Sequence, residues 1–274
     1  MKFNCGITGH TGILGSEIIK NFPKVKFIKF NGDITKRHDI KNWINNNELS
    51  YIFHFAAIVP TRIVKEKFNY AYKVNYTGTK YLVDEILKSN KIKWFFYSST
   101  SHVYNFSKKK ITEKAKPNPI SKYGLTKLKA EQYIQKKLSK KIPYCIARIF
   151  SFTHKKQSSD FVIPSIIKKI KGKNKNYIFD NTNHFRDFLD TKDISKAILT
   201  LYKNKSVGVY NIGSGKKISI TYIINLISKK LKKNYIIKDK SKASTSLIAD
   251  IKKIKKLKWK PTKKFKNLIY SLIS

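Results

Sequence analysis

A chain of 274 residues is long enough to bury the core of one large domain, or of one domain carrying a smaller lobe. Lys and Arg number 59 against 16 Asp and Glu, a formal net charge of +43, and only Arg37, Arg62, Arg148 and Arg186 are arginine. The lysines are spread along nearly the whole chain and are not clustered with arginine and aromatics. That disfavours a dedicated nucleic-acid binder and leaves a solvated lysine surface, or attraction of small phosphorylated substrates.

The predicted elements begin with the stretch Lys2 to Gly15. Phe3, Cys5 and Ile7 read as a short buried strand, Gly9, Gly12 and Gly15 as a glycine turn, and Ile13, Leu14, Ile18 and Ile19 as one face of a helix. A strand, a glycine turn and a helix form a dinucleotide-binding unit, in which the helix N-terminus offers free N–H groups to phosphates. A second strand follows at Val25 to Phe30, then Gly32-Asp33-Ile34 and a helix from about Asp39 to Asn47. Tyr51 to Ala57 is a continuous apolar run suited to a central parallel strand. Phe68 to Leu87 reads as a long amphipathic helix, Lys93 to Ser98 as a strand, Tyr123 to Leu138 as a helix and Pro143 to Phe150 as a strand. This alternation predicts a doubly wound α/β sheet with ligands at the carboxyl ends of its strands. In the dense lysine tract Lys252 to Lys266, Ile254, Leu257 and Trp259 read as core anchors. Cys5 and Cys145 each fall in a predicted strand, with no disulfide framework, no bilayer-length apolar run and no metal-ligand spacing. The first strand starts directly after Met1-Lys2 and leaves no room for a targeting segment, so a cytoplasmic location is expected.

Tyr123 and Lys127 stand one helical turn apart on the same face. A phenol with a pKa of about 10 is a poor acid–base group near neutrality. A neighbouring ammonium favours the phenolate, and the hydroxyl of Thr100 at a strand end can meet the same oxygen. Such a group suits proton transfer to or from an alcohol or ketone while a hydride moves.

In order along the chain stand Thr8-Gly9-xx-Gly12-xx-Gly15, Gly32-Asp33-Ile34, His54-x-Ala56-Ala57 and Val74-Asn75-xx-Gly78-Thr79. Next come Ser98-Ser99-Thr100-xx-Val103-Tyr104, Tyr123-xxx-Lys127, Arg186-Asp187-Phe188-Leu189-xxx-Asp193, Tyr210-Asn211-Ile212-Gly213-x-Gly215 and Leu257-x-Trp259-x-Pro261. With these motifs the chain resembles the extended short-chain dehydrogenase/reductases, the NAD-dependent epimerase/dehydratase family. The resemblance implies NAD or NADP as cofactor, a nucleotide-sugar substrate and a homodimer built on the two long helices. It implies a Rossmann-like NAD(P)-binding domain over 1–150, to which the chain returns at about 188–212, and a smaller, discontinuous substrate lobe over 151–187 and 213–274. Carried over by position, Thr100, Tyr123 and Lys127 are the expected catalytic residues. Gly9, Thr11, Gly12, Ile13, Leu14, Gly15, Asp33, Ile34, Phe55, Ala56, Ala57, Asn75, Tyr123 and Lys127 are expected around the cofactor. Thr100, Ser101, His102, Arg148 and Arg186 are expected around the substrate, Arg186 as a clamp on its pyrophosphate.

Departures from the pattern bear on the reaction. Ser101-His102 supplies no carboxylate where the family's dehydratases carry an acid after the threonine, which disfavours elimination of water. His102 falls where GDP-fucose synthase keeps a cysteine, and Phe161 where that enzyme keeps a histidine, so a two-centre epimerisation is incomplete. Gly32-Asp33-Ile34 follows the second strand at once, without the usual ribose-binding acid. Reductases shortened here often accept NADPH, and Lys29, Lys36 or Arg37 would meet a 2′-phosphate. Arg148 lacks the Asn and Gly-Pro that usually follow it, and Lys238 to Asp250 offers only Lys240 and Lys242 as a second pyrophosphate cation. The expected activity is reduction of a 4-keto nucleotide sugar. The alternatives are a C4 epimerase of the UDP-glucose 4-epimerase kind and a catalytically idle NAD(P)-binding protein.

Overall fold

Apolar runs and amphipathic helices pair off as the alternation requires. The computed structural model describes residues 4–172, 176–180, 182–238 and 244–273. Phe3, Lys240 and Lys242, singled out above, lie outside the described residues. Strand β1 (Asn4–Thr8) leads to helix α1 (Ile13–Asn21), β2 (Phe27–Lys29) to α2 (Arg37–Asn45), and β3 (Leu49–His54) to the short helices α3 (Thr61–Glu66) and α4 (Phe68–Tyr72). A π-turn over Lys73–Gly78 joins α4 to α5 (Thr79–Lys88), so the expected long helix contains a widened turn around Asn75. Strand β4 (Trp94–Thr100) precedes α6 (Lys122–Leu138) and β5 (Tyr144–Ile149). Then come β6 (Ser151–Thr153), α7 (Val162–Ile170), β7 (Asn176–Phe179), β8 (His184–Arg186), β9 (Phe188–Asp190), α8 (Thr191–Lys203) and β10 (Gly208–Ile212). The last part holds β11 (Ile218–Ser219), α9 (Ile220–Leu231), β12 (Asn234–Ile237), β13 (Thr245–Leu247), α10 (Lys252–Lys255) and α11 (Phe265–Ile273).

Six strands form a parallel sheet in the order β10-β5-β4-β3-β1-β2. Both faces are covered, which is why β3 and β4 read as near-continuous apolar runs. Ile7, Phe53, Phe96 and Ile198 pack on the side of α1 and α8, and Ile52, Phe95, Leu82 and Ile134 on the side of α2, α5 and α6. Cys5 and Cys145 are buried free thiols. The order in which successive strands are added reverses between β1 and β3, and that switch point opens a crevice at the carboxyl edge. Strand β2 is shorter than its apolar pattern because it is an edge strand whose partners on β1 are only Cys5, Gly6 and Ile7.

A separate core of Ile163, Ile166, Ile223, Ile227 and Ile269 builds the lobe. The stretch Leu247 to Trp259, read from sequence as part of the lobe, packs instead on the first core, where Ile254 and Trp259 are buried and Leu257 sits partly covered. Two buried carboxylates tie these parts together. Asp187 accepts from the backbone N–H and hydroxyl of Ser214, both at 2.6 Å, and from the N–H groups of Gly215 at 2.8 Å and Ala249 at 3.1 Å. Asp193 accepts from Thr262 and Lys263, and the Trp259 indole donates to its carbonyl at 3.2 Å.

Candidate active site

The carboxyl ends of β1, β3, β4 and β5 open into one cavity of about 570 Å³, closed on the other side by the lobe. The glycine turn forms its floor. Gly9 holds a φ of +68°, and a Cβ there would lie 2.5 Å from the Ala56 nitrogen. A Cβ on Gly15 would lie 2.2 Å from the Gly9 carbonyl, so α1 approaches the turn closely only because that side chain is missing. Gly12 caps α1 without any side-chain hydrogen bond, which leaves the first-turn N–H groups to an anion. This cradle fits a dinucleotide pyrophosphate. Gly9, Gly12, Ile13, Leu14, Gly15, Phe55 and Ala57 line the cavity.

Five residues expected around the cofactor lie off that wall. Thr11 is exposed on the turn. Ala56 faces the core and donates its N–H to Thr8 at 3.3 Å. Asn75 is fully buried and exchanges hydrogen bonds with both backbone groups of Ile58 and with the Thr126 hydroxyl, bracing the loop after β3 against α6. The Asp33 carboxylate is taken by the N–H and hydroxyl of Thr35, both at 2.8 Å, and Ile34 is buried against Gly78. Of the cations considered for a 2′-phosphate, Arg37 is committed elsewhere. Its Nε donates to Glu85 at 2.7 Å and its guanidinium lies over Tyr81.

Thr100, Ser101, His102, Tyr123 and Lys127 share one wall of the cavity. The polypeptide places them by two devices that the sequence pattern did not single out. Ser121 caps α6, its hydroxyl accepting the Gly124 N–H at 3.0 Å and meeting His102 Nδ1 at 3.0 Å. Gly124 lets α6 come so close that a Cβ there would lie 2.1 Å from the His102 carbonyl. Burial pushes the Tyr123 phenol up, and its hydrogen bond with Thr100 works in the opposite direction. Burial pushes Lys127 down to about 7, opposed by the charge of Glu131. Its ammonium lies 4.1 Å from the centre of the Tyr97 ring. His102 is pushed down to about 4 by burial and by the charge of Arg186, so it is a neutral imidazole near pH 7.

Arg186 lies on the same cavity wall, stacked 5.1 Å over Phe106 and donating to the Phe185 carbonyl and to Thr245. It forms no salt bridge with Asp187 or Asp190 among the described residues; those carboxylates are occupied by other donors. Arg148 is placed differently from its expected substrate contact. It is 4% exposed, stands behind the wall, and is forked onto Glu131. Glu131 continues the Tyr123–Lys127 face by one further turn, and that spacing is the signal that would have found it. At the cavity rim Arg62 of α3 pairs with Asp160 of the lobe at 2.8 Å.

The sequence profile of the NAD-dependent epimerase/dehydratase family matches residues 5–213, from the first strand through the last strand of the central sheet. The chain belongs to that family. A relative in Methanocaldococcus jannaschii, provisionally named UDP-glucose 4-epimerase, is 29% identical over 289 residues, covering 93% of this chain and 92% of the relative. The UDP-glucuronate 4-epimerase of Thermodesulfobacterium geofontis is 30% identical over 89% of this chain and 76% of its own. Human dTDP-D-glucose 4,6-dehydratase is 30% identical over 76% of this chain, which spans 59% of that enzyme. Among solved structures, the Thermus thermophilus UDP-glucose 4-epimerase complex with NAD superposes with a TM-score of 0.88 at 15% identity, over 99% of this chain and 98% of that one. RMD from Pseudomonas aeruginosa, complexed with NADPH, gives 0.89 at 20% identity, over 100% and 97%. At these identities the likeness is one of fold. No helix among the described residues is long and apolar enough to cross a membrane.

Proposed function

We propose that this family member moves a hydride at one sugar carbon, C4, of a nucleotide sugar, with Tyr123 as its acid–base group. The observation that carries the reading is the convergence on one cavity of the glycine cradle, Thr100, Tyr123, Lys127 and an arginine with no acidic partner among the described residues. A bound NAD or NADP supplies or accepts the hydride. Tyr123, kept protonated by its surroundings, donates its proton to an oxygen gaining negative charge, and takes one back in the reverse direction. Thr100 holds the sugar hydroxyl and the phenol together. Lys127, one turn on, stabilises the phenolate and offers its remaining donors to the cofactor's ribose. Arg186 grips the substrate diphosphate with two donors.

The reading needs one acid–base centre, Tyr123. Asp160 is the only carboxylate on the cavity's described wall and is ion-paired with Arg62, which supports a reading without elimination of water, and His102 stands there as a neutral imidazole. Two net reactions use the remaining step. The short connection after β2 supports 4-keto reduction, with the cofactor exchanged at every turnover. The names of the relatives matched over most of their length support C4 epimerisation with the cofactor retained.

The test is to denature the purified protein and identify any released nucleotide, then to follow cofactor oxidation or C4 inversion with UDP- and dTDP-hexoses. Stoichiometric NAD marks the epimerase, and an empty protein that binds and consumes NADPH marks the reductase. Binding of neither cofactor overturns both. Tyr123→Phe is expected to lower turnover by about a thousandfold or more with cofactor affinity nearly unchanged. Turnover that survives the change removes Tyr123 from its role.

A further inference from the structure

Behind the catalytic wall lies a buried ion pair that no step of the proposed reaction uses. Glu131 is fully buried, one turn beyond Lys127 on α6. Arg148, from β5, donates to it through Nη2 at 2.6 Å and Nε at 3.1 Å. Ser99, next to Thr100 at the end of β4, donates its hydroxyl to the same carboxylate. Arg148 in turn lies 4.7 Å over the Tyr104 ring, and Tyr104 donates to Asn211 of β10 at 2.8 Å. Neither Glu131 nor Arg148 lines the cavity, so neither meets a ligand there.

A buried ion pair is weak as a source of stability, since well-packed apolar residues of similar size often serve as well. What this pair does have is a charged neighbour. The groups acting on Lys127 are Glu131 from its own helix, the Tyr97 ring from β4 and the neutral His54 from β3, with Tyr123 and Thr100 on the same cavity wall. Glu131 is the one carboxylate among them, and Arg148 is the cation that shields it. In this low-dielectric interior, charges one helical turn apart interact strongly.

We propose that Glu131, locked in place by Arg148 and Ser99, is a positioning residue that keeps Lys127 in its ammonium form beneath Tyr123. The proposal rests on the reading of Tyr123 and Lys127 given above. The two halves of the ion pair then act on Lys127 with opposite sign. Removing the carboxylate takes away the opposite charge beside Lys127, leaves Arg148 unpaired behind it, and drives Lys127 to lose its proton. Removing the guanidinium leaves the carboxylate unshielded and holds the proton more tightly. A purely structural bracket has no such asymmetry.

The experiment titrates the affinity for NAD and NADPH against pH in the wild type, Glu131→Gln, Arg148→Gln and the double variant, and repeats the titration as kcat/KM on a UDP-hexose. The alkaline limb of Glu131→Gln is expected to fall by a pH unit or more, a cofactor affinity about tenfold weaker on that limb. The limb of Arg148→Gln is expected at or above that of the wild type. The double variant leaves no unpaired buried charge and carries the test if a single variant fails to fold. Its limb is expected below that of the wild type, because the one carboxylate acting on Lys127 has been removed. Limbs that coincide in all variants, or that shift the same way in both single variants, overturn the proposal. A wild type that binds no cofactor overturns the functional reading itself and is told apart by that result.

Discussion

Acidification is expected to destabilise this protein most directly through His54. It is the last residue of β3 and is fully buried. The Thr79 hydroxyl donates to the Asn75 carbonyl at 2.8 Å, so its oxygen is left to accept the His54 Nε2–H at 2.8 Å. Nδ1 must then accept from the Thr8 hydroxyl at 2.6 Å, an arrangement that only the neutral ring satisfies. Burial, with the charge of Lys127 adding to it, pushes the ring down to about 3. A folded pKa below the unfolded value of about 6.5 means stability fully present above that pH and lost progressively as the pH falls toward 3. Linkage gives a loss of about 2 kcal/mol at pH 5 and about 4 kcal/mol at pH 3. The second figure alone approaches the whole stability of a marginal domain. Urea unfolding of the wild type and His54→Gln at a series of pH values isolates the effect, because the other titrating groups are common to both proteins. Between pH 7.5 and 5 the wild type is expected to lose about 2 kcal/mol more than the variant. Parallel curves would refute the reasoning and place a charged or exposed ring at this position.

Gly15→Ala is expected to cost about 1–3 kcal/mol and to abolish cofactor binding, since the new methyl would sit 2.2 Å from the Gly9 carbonyl; unchanged binding by calorimetry refutes the cradle. The four non-glycine residues at positive φ are Lys140, Lys205, Lys232 and Lys258 among the described residues, each just past a helix end where glycine is usual. At Lys232, exposed with φ of 52° after α9, replacement by Gly is expected to raise stability by about 1 kcal/mol, read as a higher denaturation midpoint at unchanged slope. Lys205 is the poor choice for the same change, because its ammonium sits 3.7 Å over both Tyr51 and Tyr202.

Much of the fold and of the cavity was legible because it is written in local terms. A glycine whose Cβ would strike backbone, an apolar run long enough for a doubly covered strand, and a Tyr and Lys one turn apart each carry their reason in a few consecutive residues. The glycine turn, the parallel sheet and the wall bearing Thr100, Tyr123 and Lys127 follow from these. Arg186, expected from the family pattern and one of only four arginines, is set by the fold on the cavity with no acidic partner among the described residues.

Tertiary structure decided the partners of charges. Arg148 and Arg186 look alike in sequence, each an arginine near a strand end, but one faces Glu131 in the core and the other faces the cavity. Arg37 is held by Glu85, 48 residues away, and so is withdrawn from the role its position near β2 had offered it. The tract Lys252 to Trp259 turns its apolar side to the first core and not to the lobe it follows in sequence. Periodicity reports that a face is buried but not what buries it, and a guanidinium has the same five donors whether a carboxylate or a phosphate stands opposite. Which of these it meets is fixed only when strands distant in sequence are brought side by side.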